Sequence, residues 1–172
     1  MSGDAYLKGL EKVVLLEGDK RVLLRPVRPT DLEALIEFFK RLSKESIYNR
    51  WMTVKNYLPE EEAREYVKVD FEKDMAIYAF SDDGVLRGAV RVMGDYGGKT
   101  AEFAIVIEDE WQKRGLGHIM MEYIIGIAQD KGYKVVYGEI FKENTIMTRV
   151  CKDLGFDISP IDSVTIHAVK KL

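Results

Sequence analysis

The sequence predicts an α+β fold in which helices pack on one mixed, mostly antiparallel sheet. Three observations carry this. Met75 to Phe80, Val85 to Met93 and Thr100 to Ile107 are β-rich runs, joined by the turn segments Ser81-Asp82-Asp83-Gly84 and Asp95-Tyr96-Gly97-Gly98, so an antiparallel meander is expected. From Gly115 to about Lys131, the apolar residues Ile119, Met120, Tyr123, Ile124, Ile127 and Ala128 form one stripe with a period near 3.6. Strand and helix patterns alternate again after that stripe, which gives a sheet of about six or seven strands with helices inserted between them.

The remaining elements follow in chain order. Residues 1–18 have weak periodicity and end at the Gly18-Asp19 turn signal, so they read as an N-terminal arm or short strand, and residues 19–172 as the single domain. Arg21 to Arg25 reads as a strand stopped by Pro26-Val27-Arg28-Pro29, after which Thr30 is the expected N-cap of a helix carrying Leu32, Leu35, Ile36, Phe39 and Leu42 at helical spacing. Ser43-Lys44-Glu45-Ser46 opens a second helix, and Pro59 at a first-turn position opens a third through Val69. Gly132 ends the long amphipathic helix. Lys134 to Ile140 alternates as a strand, Glu143 to Leu154 is helical, and Ile158 to Val169 supplies two short strands around Pro160.

Bulk properties bound the function. A chain of 172 residues suits one compact core, and 47% apolar residues can fill it. A net charge of −3 gives no reason to bind a polyanion, so no nucleic acid is expected as the main partner. Cys151 is the only cysteine, which excludes an intramolecular disulfide and fits a reducing compartment. The run Val13 to Leu16 is far shorter than a signal-peptide core or a membrane span, so a cytoplasmic protein with no membrane partner is expected. His118 and His167 stand apart from each other and from any paired carboxylates of ligand spacing, so no metal is expected.

The segment Gln112-Lys113-Arg114-Gly115-Leu116-Gly117 lies between a strand and the long helix, where the chemistry is that of an anion site. Glycines let the backbone approach a ligand closely, and the unpaired N–H groups of the helix start, with its dipole behind them, point at negative charge. Lys113 and Arg114 add positive charge, and pyrophosphate is the expected occupant. The dinucleotide pattern G-x-G-x-x-G fails at Met120, and the full Walker pattern does not occur. Q-x-x-G-x-G after a strand remains.

That segment resembles motif A of the GNAT family of N-acetyltransferases, whose signature is R/Q-x-x-G-x-G/A. The resemblance extends over about 150 residues: Ala101 to Ile107 stands where the family's fourth strand stands, and Glu143-Asn144 with Leu154-Gly155-Phe156 is similar to its motif B. Arg25 to Pro29, Phe39 to Ser46, Tyr48-Asn49-Arg50-Trp51 and Ala101-Glu102-Phe103-Ala104 resemble in particular the GNAT domains of bacterial and archaeal protein lysine acetyltransferases. Some of these are fused to acyl-CoA-synthetase-like domains, and a stand-alone version is expected here.

The resemblance implies a sheet splayed at the coenzyme A site, acetyl-CoA as cosubstrate, an amine acceptor, a protein lysine foremost, and a monomer or homodimer. It implies that backbone N–H groups of Gln112, Lys113, Arg114, Gly115, Leu116 and Gly117 hold the pyrophosphate, that Ile105, Val106 and Ile107 run beside the pantetheine through their backbone, and that Asn144 contacts the cosubstrate while also capping a helix. It makes Glu102 the general base. Cys151 stands where many members carry the tyrosine that protonates the leaving thiolate; a lone helical cysteine is more often packed in the core. Glu61 is a further candidate for an acceptor groove. The rival expectation is an acyl-CoA-binding sensor that transfers nothing.

Overall fold

The computed structural model describes residues 3–172. In chain order the elements are α1 (Gly3–Gly9), β1 (Lys12–Leu16), β2 (Lys20–Pro26), α2 (Leu32–Arg41), α3 (Lys44–Trp51), α4 (Glu60–Val67), β3 (Met75–Ser81), β4 (Leu86–Gly94), β5 (Thr100–Ile107), α5 (Leu116–Asp130), β6 (Val135–Phe141), α6 (Thr145–Asp153), β7 (Asp157–Pro160) and β8 (Thr165–Lys171). The strands form one 8-stranded sheet in the order β1-β2-β3-β4-β5-β6-β8-β7. Every pairing is antiparallel except β5 with β6.

The sheet has eight strands rather than six or seven because Lys12–Leu16 pairs with β2 from Lys12↔Leu24 to Leu16↔Lys20. The run Val13-Val14-Leu15-Leu16 is apolar on both faces, so no alternation marks it as a strand; in the fold Leu16 is buried while Val13 and Leu15 face solvent. Thr30 is not the cap of α2. It lies in the 3-10 turn Pro29–Asp31, and Asp31 holds the N-cap position. The Asp31 carboxylate accepts from both ends of the Arg25 guanidinium, at 2.8 and 2.7 Å, and from the Arg28 amide at 2.7 Å. This bidentate pair fastens α2 to β2. Ser43 caps α3, its hydroxyl accepting from the Ser46 amide at 3.1 Å.

Helices cover both faces of the sheet, which is why all seven residues of β3 are buried. On one face α5 lays Met120, Met121, Ile124, Ile127 and Ala128 on Met75, Ile77, Val90 and Val92. On the other, α2 to α4 lay Leu35, Phe38, Phe39, Ile47, Ala63 and Val67 on Ala76, Tyr78, Phe80 and Val106. The Gly98-Lys99-Thr100 tripeptide, the ending of a Walker loop, belongs to the β4–β5 hairpin and leads into a strand, not a helix.

Gly94 ends β4 against Tyr133, whose hydroxyl donates to the Lys73 carbonyl at 2.6 Å. A Cβ at Gly94 would overlap that hydroxyl and lie 2.9 Å from the Lys73 oxygen. Gly94→Ala is expected to destabilise the protein by roughly 1–3 kcal/mol through overpacking, read as a lower urea midpoint at unchanged slope.

Candidate active site

The parallel ladder of β5 on β6 runs only from Thr100↔Val135 to Glu102↔Tyr137. Beyond it β5 stays with β4 as far as Ile107↔Gly88, while β6 stays with β8 as far as Phe141↔Thr165. The strands therefore fork, and the edge of β5 from Phe103 to Ile107 faces a gap. The Phe103 ring sits against the bare backbone of Gly138, where a Cβ would come within 2.6 Å of ring carbons, and meets Phe156 edge-on with centroids 5.5 Å apart. Tyr48 of α3 stacks on Phe141 at the far end of β6, with centroids 4.8 Å apart, so α3 bridges the fork.

A cleft of about 1180 Å³, open to solvent, occupies the gap. It gathers Ile105, Val106 and Ile107 from β5, Gln112, Lys113, Gly115 and Gly117 from the glycine loop, and Asn144 from the start of α6. The end of β5, the loop that follows it and the more distant start of α6 thus meet at one wall.

The loop is held by ion pairs and side-chain hydrogen bonds in and behind the cleft wall. Glu108 is buried and paired with Arg87 at 2.9 Å and Arg41 at 3.2 Å. The Asp109 carboxylate accepts from the Ser43 amide at 2.9 Å and from the hydroxyls of Ser43 and Ser46 at 2.6 and 3.1 Å. Burial opposes its ionisation, but these hydrogen bonds outweigh burial and hold Asp109 below its ordinary value. Gln112 donates its side-chain amide to the Ile107 carbonyl at 2.9 Å and to the Ser46 hydroxyl at 3.0 Å.

With the loop so fixed, Lys113 (φ 59°) and Gly115 (φ 86°) adopt left-handed backbone, turning successive amides to one side. None of the amides of residues 113 to 118 donates to an acceptor among the described residues, and the first intrahelical bond runs from Ile119 to the Gly115 carbonyl at 3.1 Å. Gln112 departs from the expectation: its own amide is taken by the Asp109 carbonyl, so the free donors begin at Lys113. Arg114 and Leu116 place their side chains elsewhere. Arg114 donates to the Glu110 carbonyl at 3.0 Å, and Leu116 is buried beneath α5, so only their backbone amides belong to the nest. Asn144 caps α6, its side-chain oxygen accepting from the Met147 amide at 3.2 Å, and lines the cleft as well.

Glu102 stands on the last rung before the fork, half-buried. Burial, then the charge of Glu139, pushes its carboxyl above the ordinary value, while Arg50 and His167 pull the other way. Its sheet face, shared with Ala104 and Val106, is covered by α2 to α4. There a second, smaller cavity is lined by Arg50, Trp51, Tyr66, Tyr78 and Arg91, with Val106 common to both cavities. No local motif announces these residues, which come from α3, α4, β3 and β4. Glu61 is not among them; it lines a separate depression with Pro29, Leu32 and Lys68. His118 lines the cleft, which the sequence did not indicate, because its partners in that wall come from α3 and α6. Among the described residues no group of three potential metal ligands is gathered, and no helix is long and apolar enough to cross a membrane.

Cys151 is wholly buried in the α5 core, and burial pushes its thiol up to about 12. A disulfide reagent at pH 8 is expected to modify Cys151 at least ~10²-fold more slowly in the native protein than in the urea-unfolded chain, because both the thiolate fraction and access are suppressed. Comparable rates would mean that the residue opens to the cleft.

Residues 21–157 match the acetyltransferase (GNAT) domain family. An acetyltransferase of Pseudomonas aeruginosa is 28% identical over 158 residues, which cover 90% of this chain and 85% of the relative. The acetyltransferase Pat of Mycolicibacterium smegmatis is 26% identical over 159 residues, and the match spans 82% of this chain and about half (47%) of that longer protein. Among solved structures, the GNAT domain of S. lividans PAT superposes with a TM-score of 0.89 at 22% identity, over 95% of this chain and 98% of that one. The forked sheet, the glycine loop at the head of α5 and a family match spanning most of the sequence lead to one assignment: the chain belongs to the GNAT acetyltransferase family.

Proposed function

We propose that the protein transfers an acetyl group from acetyl-CoA to a primary amine, the side chain of a protein lysine, by direct attack with Glu102 as general base. The observation that carries this is the position of Glu102 at the fork, on the strand that separates the amide-lined cleft from the arginine-lined cavity. The lysine acceptor rests on the distributed resemblance of Arg25 to Pro29, Phe39 to Trp51 and Ala101 to Ala104 to protein lysine acetyltransferases. The charge of −3 and the lone cysteine favour a cytoplasmic protein that does not bind nucleic acid.

The residues fit the cosubstrate. Free amides from Lys113 to His118, turned to one side by two left-handed residues and backed by the dipole of a 15-residue helix, suit a pyrophosphate. The open edge of β5 from Phe103 to Ile107 suits an amide-bearing arm laid along it as an added strand. Acetyl-CoA supplies an activated thioester when bound.

Glu102 supplies what the amine needs. An ammonium cannot attack, so Glu102 takes its proton directly or through one water. Its raised pKa brings its basicity nearer the working pH. N–H groups on the free edge of β5 donate to the acetyl carbonyl oxygen as negative charge develops there. Cys151 is buried away from the cleft, so the leaving thiolate takes its proton from water. The same burial favours a second reading, an acyl-CoA sensor without an acid; the two differ in whether labelled acetyl reaches any amine.

Gly115→Glu is expected to abolish acetyl-CoA binding in calorimetry, since the side chain strains the left-handed position and sets a carboxylate beside the phosphates. Unchanged affinity would displace the site from this loop. Glu102→Gln is expected to lower kcat at neutral pH by roughly 10²–10⁴-fold with little change in acetyl-CoA affinity. A base works only when ionised, so wild-type kcat/KM should fall as pH drops through the raised pKa of Glu102, and the variant should lose that limb. The variant's deficit should shrink at high pH, where amine arrives deprotonated. Identical profiles for the two proteins from pH 6 to 10 would assign the proton to another group.

A further inference from the structure

The cavity under α2 to α4 holds two guanidinium groups, and the one carboxylate whose charge reaches Arg50 there is Glu102, which forms no salt bridge with it. Arg50, from α3, lies 5.0 Å from the centroid of Trp51 and 5.9 Å from that of Tyr66; Arg91, from β4, lies 5.5 Å from the same Tyr66 ring. One aromatic ring is therefore shared by both cations. The Nε of Arg91 is fully buried and has no hydrogen-bond partner. Among the described residues neither arginine forms a salt bridge, although every other carboxylate near the cavity is occupied: Asp31 by Arg25, and Glu62 by Lys55 at 2.8 Å and by the Tyr66 hydroxyl at 3.0 Å.

Two like charges held close together in partly buried positions are costly, and such charges in folded proteins are as a rule paired. A guanidinium fork presents donors in the geometry of a carboxylate, and the missing partner is therefore an anion that arrives with a ligand. Register fixes where that anion sits. Arg91 is opposite Ala104 on β5, and Glu102 is one step along the same face, which makes Arg91 and Glu102 diagonal neighbours. Tyr78, opposite Ala89 on that face, adds a hydroxyl which burial keeps protonated.

We infer that the pocket between Arg50 and Arg91 binds a carboxylate carried by the amine acceptor, an inference that rests on the acetyltransferase role proposed for the adjoining cleft. The carboxylate comes either from an acidic neighbour of the target lysine in a polypeptide or from the α-carboxylate of a free amino acid. In both cases it anchors the acceptor while Glu102 receives the amine.

The test measures kcat/KM for two matched pairs of acceptors with acetyl-CoA: free lysine against cadaverine, and an end-blocked lysine peptide with a glutamate neighbour against the same peptide with glutamine. The wild-type chain is compared with Arg91→Met and Arg50→Met, either of which suffices if the other fails to fold. Wild type is expected to prefer the carboxylate-bearing member of at least one pair by roughly 10- to 100-fold, the worth of a charge-assisted hydrogen bond to a buried group. That preference should collapse in the variants while acetyl-CoA affinity stays unchanged. A preference in the first pair alone identifies a free amino acid, and in the second alone an acidic polypeptide. No preference in either pair overturns the inference.

A melting experiment separates this from failure of the transferase reading. Sodium glutamate should raise the wild-type Tm and leave the variants unmoved, whether or not any acceptor is acetylated. Without ligand, Arg91→Met should melt above wild type, because an unpaired buried charge has been removed. A lower Tm, or equal protection of wild type and variants by glutamate, would make the arginines structural.

Discussion

Parallel pairing between β5 and β6 lasts for three residue pairs, and what the protein can bind follows from its ending there. A strand that leaves its neighbour exposes unpaired N–H and C=O groups, and within a sheet that is normally a liability. Here the exposed edge borders a cleft instead of open solvent. Gly138 accepts the Phe103 ring directly on its backbone, so the wedge at the fork is core packing and leaves no void. The gap stays open because both strands are otherwise committed, β5 to β4 and β6 to β8.

The glycine loop inherits its geometry from this commitment. Glu108 leaves β5 into a buried ion pair with Arg87 and Arg41, and Asp109 is tied to the cap of α3, so the chain reaches α5 along a fixed path. Both acidic side chains are tied to α2 and α3, and Asp109 lines the cleft beside the amides that remain free. The free amides thus lie beside two carboxylates that already have partners of their own, Glu108 the arginines and Asp109 the serines. The capping of α3 and the shaping of the loop are one hydrogen-bond network joined through Ser46 and Gln112.

The second cavity follows a different economy. Its aromatic walls lower the cost of holding guanidinium groups near one another, but supply no counter-charge. Binding energy available to an incoming anion is stored in the free protein as an unmet interaction, and stability there is traded for recognition. Val106 is where that cavity and the cleft meet along β5, and Glu102 lies further back on the same face, its pKa raised by burial and by Glu139 with Arg50 as the main restraint.

The sequence by itself determined what periodicity and local chemistry can encode. The meander, the amphipathic α5, the glycine loop and the cap at Asn144 are each legible within a dozen residues or so, because hydrophobic alternation, turn residues and caps act locally. Glu102 was singled out through the resemblance carried by Ala101 to Ala104. What was not legible depended on register and on long-range pairing. Whether residues 1–18 were an arm or a short strand was decided only by the pairing of β1 with β2, and the N-cap of α2 lies at Asp31, which Arg25, six residues earlier, grips, and not at Thr30. The cavity of Arg50, Tyr66, Tyr78 and Arg91 was invisible, since no spacing in the chain relates residues brought together only when β3, β4 and β5 align and α3 and α4 close over them. The tertiary structure alone decided that Arg91 and Glu102 share one face two positions apart in register, because which residues oppose each other across strands is fixed by the packing of the whole sheet and not by any segment of it.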